Sequence, residues 1–236
     1  MSVPTPSSSP RVHREWRNRV IAEYTSAAIT ARVLHLCIIC GLDRGLLDTA
    51  ARVVTDELDH AQLSDDARVA LGDSDEPLGL DVEQLQPAKG LDGPLADLLD
   101  HILTSFCLGE TFAVPLFAAM REHASHPAIE PMLTRVLKDE AVHRRFGWET
   151  LDALLALDPD GVRARAARIL PGAIRSYRLA YHDVQEGEPL TDHERAAGLL
   201  PIAEYRRIFQ QTLAQTITPR LRSRGILIDT VADAPA

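Results

Sequence analysis

The sequence predicts an all-α protein with four long helices, a long crossover between the second and third, and two further helices at the C-terminal end. Three observations carry this. Apolar residues recur at the 3.6-residue helical spacing over long stretches, and no run alternates with period two for long enough to build a sheet. Clusters of Gly, Pro and Asp fall between those stretches. With 236 residues, one large domain is expected, since a typical domain holds roughly 150 residues.

Residues 1–13 begin as a Pro/Ser-rich tail that buries nothing and is expected to be disordered. The first helix is expected over 14–40, with Trp16, Val20, Ala27, Ala31, Leu34 and Ile38 on its apolar side and Gly41 as its stop. A second helix is expected over 43–71 and ends at Gly72. The crossover, rich in Gly, Pro and Asp, follows to about Gly93. Pro94 opens the third helix, which carries Leu103, Phe106, Ala113 and Phe117 on one side and is expected to bend at Pro115. The fourth runs from about Pro127 to Leu157, where Asp158-Pro-Asp-Gly161 makes a turn. Two more helices, over 161–184 and 202–224, flank a capping-box pattern at Thr191–Glu194. The division is thus a tail over 1–13, a four-helix unit over 14–157, C-terminal helices over 158–225 packed on it, and a tail over 226–236.

The formal net charge of −9 argues against nucleic acid or an anionic membrane as the main partner. No apolar run reaches the roughly 18 residues that span a bilayer, and the N-terminus lacks a signal-peptide layout, so a cytoplasmic location is expected. Cys37, Cys40 and Cys107 are too few for a disulfide framework and lie in apolar surroundings, as core thiols do.

Chemistry concentrates in a repeated motif. The second helix contains Asp56-Glu57-Leu58-Asp59-His60 and the fourth Asp139-Glu140-Ala141-Val142-His143. Both read D-E-x-x-H, and residues three apart share a helix face, so each copy aims one carboxylate and one imidazole at a common point. Two copies on separate helices are hard to obtain by chance. The other two helices each place a glutamate on an otherwise apolar stripe. Glu23 lies between Val20 and Ala27, and Glu110 between Phe106 and Ala113, positions where an unpaired charge is costly. Each half of the unit therefore reads Glu, then Glu-x-x-His. One Glu from each of two helices, with Glu-x-x-His from each of the other two, is the ligand set of a dinuclear carboxylate site. Four ionised glutamates balance two divalent ions when both histidines are neutral. The mixed oxygen and nitrogen donors suit Fe(II) or Mn(II) better than zinc.

With these residues the chain resembles the ferritin-like di-iron carboxylate proteins, a superfamily that includes ferritins, rubrerythrins, ribonucleotide reductase small subunits, acyl carrier desaturases, multicomponent monooxygenases and arylamine N-oxygenases. The resemblance covers about residues 14–157. The stretches Glu23-Tyr-Thr-Ser-Ala-Ala, Asp56-Glu-Leu-Asp-His-Ala, Gly109-Glu-Thr and Asp139-Glu-Ala-Val-His look most like bacterial ferritin-like domain proteins of undefined substrate. It implies a ferritin-like four-helix bundle holding two iron ions, with a manganese–iron pair as the alternative. Glu57 and Glu140 would bridge the ions, Glu23 and Glu110 would be terminal ligands, and His60 and His143 would each bind one ion. By the same resemblance Asp139 would support His60 and Asp56 would support His143, the alternative being that both aspartates are solvent-facing helix residues.

The resemblance implies an O2-dependent oxygenase or oxidase acting on a small organic molecule, with electrons from a separate partner, a chemical reductant or the substrate itself, since no reductase domain is attached. Ala27, Ala31, Phe106, Cys107, Val114 and Gly147 are candidates for lining a substrate pocket, with close helix packing as the competing role for the small ones. Hydroxylases and desaturases of the superfamily often carry Thr three or four residues after the third-helix Glu, where this chain has Ala113 and Val114. Arylamine N-oxygenases carry a further His where this chain has Val136. Ferroxidase, iron-storage or peroxide-scavenging activity is the alternative, and a metal-free helical interaction module a third. The C-terminal helices are expected to cover a pocket or to form a homodimer interface.

Overall fold

The structure, a computed structural model, describes residues 9–228 except 82, 84, 87–89, 91 and 186. Among the described residues every regular element is a helix, and there is no strand. Helix α1 spans Pro10–Ile39, α2 Arg44–Ala70, and α4 Ile129–Leu157. Between them α3 runs continuously over Pro94–His123. It begins and ends α-helical (Pro94–His101 and Thr111–His123) but is π-helical over Ile102–Glu110. Then follow α5 (Pro159–Tyr181), the short α6 (Asp192–Ala196) and α7, which is α-helical over Ile202–Thr212, π-helical over Leu213–Ile217 and α-helical again over Thr218–Arg222.

The helix ends follow local chemistry. Gly41 adopts φ 71, the left-handed conformation that closes a helix cheaply only in glycine, and Leu42 N then donates to Cys37 O. The Asp43 side chain caps α2 by accepting from the backbone N–H of Gly45 and Leu46. At α6 the capping box is complete, with Thr191 and Glu194 each satisfying the other's backbone N–H.

Helix α1 packs along α2, α4 packs against both α2 and α3, and the start of α3 reaches α1. Two apolar clusters form the interior. One joins Val33, Leu36, Val53, Leu103, Phe106, Phe146 and Leu151, and the other joins Val12, Trp16, Ala67, Leu116, Met120, Leu133 and Val136. Along each of α1, α2 and α4 the chain passes from one cluster to the other through a short polar stretch, at Glu23, at Glu57–His60 and at Glu140–His143. On α3, Glu110 falls at the junction. A buried polar layer therefore lies between two apolar cores.

Several boundaries differ from expectation. Helix α1 begins at Pro10, and Val12 is fully buried, so 9–13 belong to the folded part; residues 1–8 lie outside the described residues. Trp16 explains the extension: its indole N–H donates to Ala197 O at 3.1 Å, tying α1 to the turn after α6. At the other end Ile226 is buried, and the remainder of the expected tail from 229 lies outside the described residues. Among the described residues three helices follow α4 rather than two, because the capping box nucleates α6. The crossover is anchored at its start by Arg68, a buried guanidinium that donates to Ser74 O and to Glu76 O. By length and composition α3 could cross a membrane, contrary to the reading that no such run exists. However, 61% of its most apolar window is buried inside the protein, as in a core helix.

The apolar face of α1 also differs. The interior positions after Ala27 are Thr30, Val33, Leu36 and Cys37, and Ala31 and Ile38 are exposed. The sequence pattern stepped past a polar residue, Thr30, to the alanine beside it. In α3 the π turns add residues to each turn, so a single 3.6-residue repeat read through Glu110 loses phase. The π segment is covered by α5, whose Tyr177 hydroxyl donates to Thr104 O at 3.1 Å above Gly109.

At Gly147 α4 lies close against α3, since a Cβ there would overlap the Cβ of Phe106. In open space a helical Gly→Ala exchange stabilises by about 1 kcal/mol. Here the overlap with a buried ring base reverses the sign, and Gly147→Ala is expected to destabilise the fold by ~1–3 kcal/mol. Denaturant unfolding followed by circular dichroism measures this, and a gain in stability would contradict the close approach.

Candidate metal centre

Glu57, His60, Glu140 and His143 are buried, and one ligand atom from each lies within 4.8 Å of all the others. The three-residue spacing puts Glu57 and His60 on one face of α2, and Glu140 and His143 on one face of α4. The two faces meet. His60 Nδ1 lies 3.7 Å from Glu57 Oε2 and 3.8 Å from Glu140 Oε1. His143 Nδ1 lies 3.3 Å from Glu57 Oε1 and 3.6 Å from Glu140 Oε2. Each carboxylate thus turns one oxygen toward each imidazole.

These spacings exceed good hydrogen bonds, and the consequence is an inventory of orphans. His60 Nδ1, His143 Nδ1, Glu57 Oε2 and Glu140 Oε2 are all buried without a hydrogen-bond partner. Leaving such atoms unsatisfied costs on the order of 1–3 kcal/mol each. Donor atoms about 2.0–2.2 Å from one ion stand about 3.0–3.5 Å apart at ordinary bond angles, close to the separations seen. The cluster can therefore hold a pair of metal ions, and its donor set fits them.

The outer nitrogens face the opposite helix. His60 Nε2 is 3.4 Å from Asp139 Oδ2, and His143 Nε2 is 3.4 Å from Asp56 Oδ2. Both aspartates are buried. A carboxylate at Nε2 holds a proton there, so that Nδ1 could offer its lone pair to an ion that displaces the proton Nδ1 otherwise carries, the usual arrangement around a metal-binding histidine.

Glu23 and Glu110 are buried beside this group but outside the tight cluster. Burial pushes the Glu23 carboxyl well above its ordinary range, and the charges of Glu57 and Glu140 push the same way. Glu110 is raised well above that range by burial, then by the charge of Glu140 and a hydrogen bond to it, with Glu57 and Glu23 pushing the same way. Burial opposes ionisation of Glu57 as well, but the two imidazoles outweigh it and hold Glu57 down at about 2. Burial likewise works against charged histidines, yet the surrounding glutamates lift His60 to about 9 and His143 to about 10. Without a cation of another kind, the protons on the histidines offset part of the buried negative charge.

The candidates for a substrate pocket are scattered in their burial. Ala31 is exposed and lines no interior space. Phe106, Cys107 and Gly147 fill one another's neighbourhood, with Cys107 Sγ 3.7 Å from Gly147 O. Ala27 is buried and Val114 half-buried. Two surface cavities, of about 390 and 340 Å³, involve none of the six. Of the small residues, Gly147 serves close helix packing, against Phe106.

Three contributors escaped the sequence reading. Ser26, one turn beyond Glu23, donates to Glu57 Oε1 at 2.8 Å. Arg52 and Arg135 contact the two aspartates. The signal for the arginines was present: both motif copies extend upstream to R-V-x-x-D-E-x-x-H. Ser26 had none, because a serine in a helix carries no pattern.

Comparison with known proteins gives no match, either to a family model or to a curated protein. The reading of the site therefore rests on its geometry.

The raised histidines make the metal-free protein pH-dependent in a definite direction. Their stabilisation is fully present below the ordinary histidine value of 6.5 and is lost as pH rises through about 9 and 10. Glu23 and Glu110, raised in the fold, act in the same direction. Glu57 acts oppositely, its contribution being present above 4.5 and lost as pH falls toward 2. Denaturant midpoints of chelator-treated protein should fall between pH 7 and 10, and a flat profile would contradict the histidine–glutamate pairing.

Proposed function

We propose that the chain is a ferritin-like four-helix bundle whose Glu23, Glu57, His60, Glu110, Glu140 and His143 hold two iron ions, and that it is an O2-dependent oxidase or oxygenase of a small organic molecule. The observation that carries this reading is the set of four buried, partnerless donor atoms converging between α2 and α4. When bound, a reduced iron pair supplies two electrons and adjacent coordination positions for O2.

The chain's own residues would do the rest. Glu57 and Glu140, each facing both imidazoles, would span the two ions. His60 and His143 would bind through Nδ1 while Asp139 and Asp56 hold the protons on Nε2. Ser26 would keep one Glu57 oxygen oriented by its 2.8 Å hydrogen bond. Glu23 and Glu110, buried and raised in pKa, would deprotonate on ion binding and complete the charge balance of four carboxylates against two divalent ions. The two apolar clusters on either side would keep bulk water from the layer.

One observation favours the second reading, in which Fe(II) or peroxide is the substrate and no organic molecule enters. Phe106, Cys107 and Gly147 pack together where a substrate pocket was expected, and neither cavity reaches them. The two readings separate on one experiment. Metal-free protein is loaded anaerobically with Fe(II), bound iron is counted, and O2 uptake is followed with Fe(II) in excess. Two irons per chain and a single stoichiometric burst support the organic oxidase. Sustained O2 uptake with oxidation of the excess supports the second reading, and no bound iron overturns both.

A further inference from the structure

Both copies of the ligand motif carry an arginine one helical turn before the aspartate: Arg52 before Asp56 on α2, and Arg135 before Asp139 on α4. Each guanidinium reaches its own aspartate. Arg52 Nε is 3.3 Å from Asp56 Oδ2, and Arg135 Nε is 2.5 Å from Asp139 Oδ2. Each also reaches across to the other helix. Arg52 Nη2 is 3.7 Å from Asp139 Oδ1, and Arg135 Nη2 is 3.7 Å from Asp56 Oδ1. The four side chains close a ring of alternating charge, Asp56–Arg52–Asp139–Arg135, over the outer edge of the two histidines.

The ring's place says more than its strength. The arginine side chains are 55% and 47% exposed, and ion pairs of that exposure add little to folding. The aspartates are buried, and each holds the outer nitrogen of one histidine. Asp139 serves His60 and Asp56 serves His143, so each aspartate works for the helix opposite its own. Because each guanidinium contacts both aspartates, with Arg135 also 3.6 Å from Asp59 Oδ2, a shift of one aspartate changes the ion contacts of the other. An ion that fixed His60 would therefore hold Asp139, then Asp56 through the ring, and so aim His143.

We propose that Arg52 and Arg135 are positioning residues that couple the two ion positions, so that the ions load as a pair. This rests on the reading of the site as a two-metal centre. Glu57 and Glu140 also face both positions, but as ligands they cannot be altered without changing the site itself. The arginines touch neither imidazole nor ligand carboxylate in the contacts above, so changing them isolates the coupling. The linkage is a preorganisation effect: the first ion meets the ordering cost of both halves, and the second binds a site already set.

The test is electron paramagnetic resonance of the full-length, metal-free protein given one equivalent of Mn(II). A lone Mn(II) gives a six-line signal, and a pair gives a broadened, exchange-coupled one. The native chain is expected to show the pair signal at half-loading. The double variant Arg52→Gln/Arg135→Gln should show the six-line signal, with its second ion bound about 10–100-fold more weakly. Arg52→Lys/Arg135→Lys, which keeps the charge, should restore part of the pair signal. The single variant Arg52→Gln carries the same test should the double variant fail to fold, and is expected to show a mixture. Pair signals of equal strength in native and variant chains overturn the coupling while leaving the metal centre intact. A six-line signal in the native chain at one equivalent also overturns it. If the native chain binds no Mn(II), the two-metal reading itself fails.

Discussion

Burying four carboxylates in the middle of a helical protein sets the terms for everything around them. Glu23, Glu57, Glu110 and Glu140 are all buried, and like charges at this density cannot coexist in a dry interior without cations. Two histidines supply part of the compensation and leave their inner nitrogens unpartnered. The surrounding structure keeps this arrangement from relaxing. Apolar clusters close both ends of the polar layer, Asp56 and Asp139 fix the imidazoles from outside, and Gly147 lets α4 approach Phe106 on α3 closely enough to exclude space beside it.

The C-terminal helices extend the same logic. Phe112, in the turn after Glu110, stacks on Tyr177 of α5 at 5.3 Å and on Phe209 of α7 at 5.2 Å, and Tyr181 stacks on Tyr177 in turn. These rings cover the face of α3 that α1, α2 and α4 leave open. That face includes the π-helical turns, whose irregular backbone is sheltered when another helix lies on it. Arg224 from the end of α7 grips Asp152 with two hydrogen bonds of 2.6 and 2.8 Å, holding the cover against α4. The chain after Leu157 is thus part of what covers the Glu110 side of the polar layer.

Most of the site was legible because its residues break a strong pattern. A glutamate on an apolar helical stripe, or a D-E-x-x-H repeated on two helices, stands out against 3.6-residue periodicity. What was not legible depends on geometry between helices. Nothing in the sequence marks Ser26, which matters only because α1 lies against α2 at that level. The crossed contacts of Arg52 and Arg135 need the register of α2 on α4. Ala31 was misplaced because residue type was followed in preference to helical phase, and Thr30 is the residue inside. Gly147 and Cys107 could be read as room or as contact, and only the helix separation decides for contact. The fold class was plain from periodicity, and the early start of α1 was hidden because the partner of Trp16, Ala197 O, lies 181 residues away.

The central claim is that the polar layer is a two-ion site. The most direct test is a crystal structure of the protein grown with Fe(II) under anaerobic conditions, with anomalous scattering collected on both sides of the iron absorption edge. The account predicts two anomalous peaks per chain between Glu57 and Glu140, one within bonding distance of His60 Nδ1 and the other of His143 Nδ1. A site with no anomalous density there, and with the histidines hydrogen-bonded to the glutamates in its place, would contradict it.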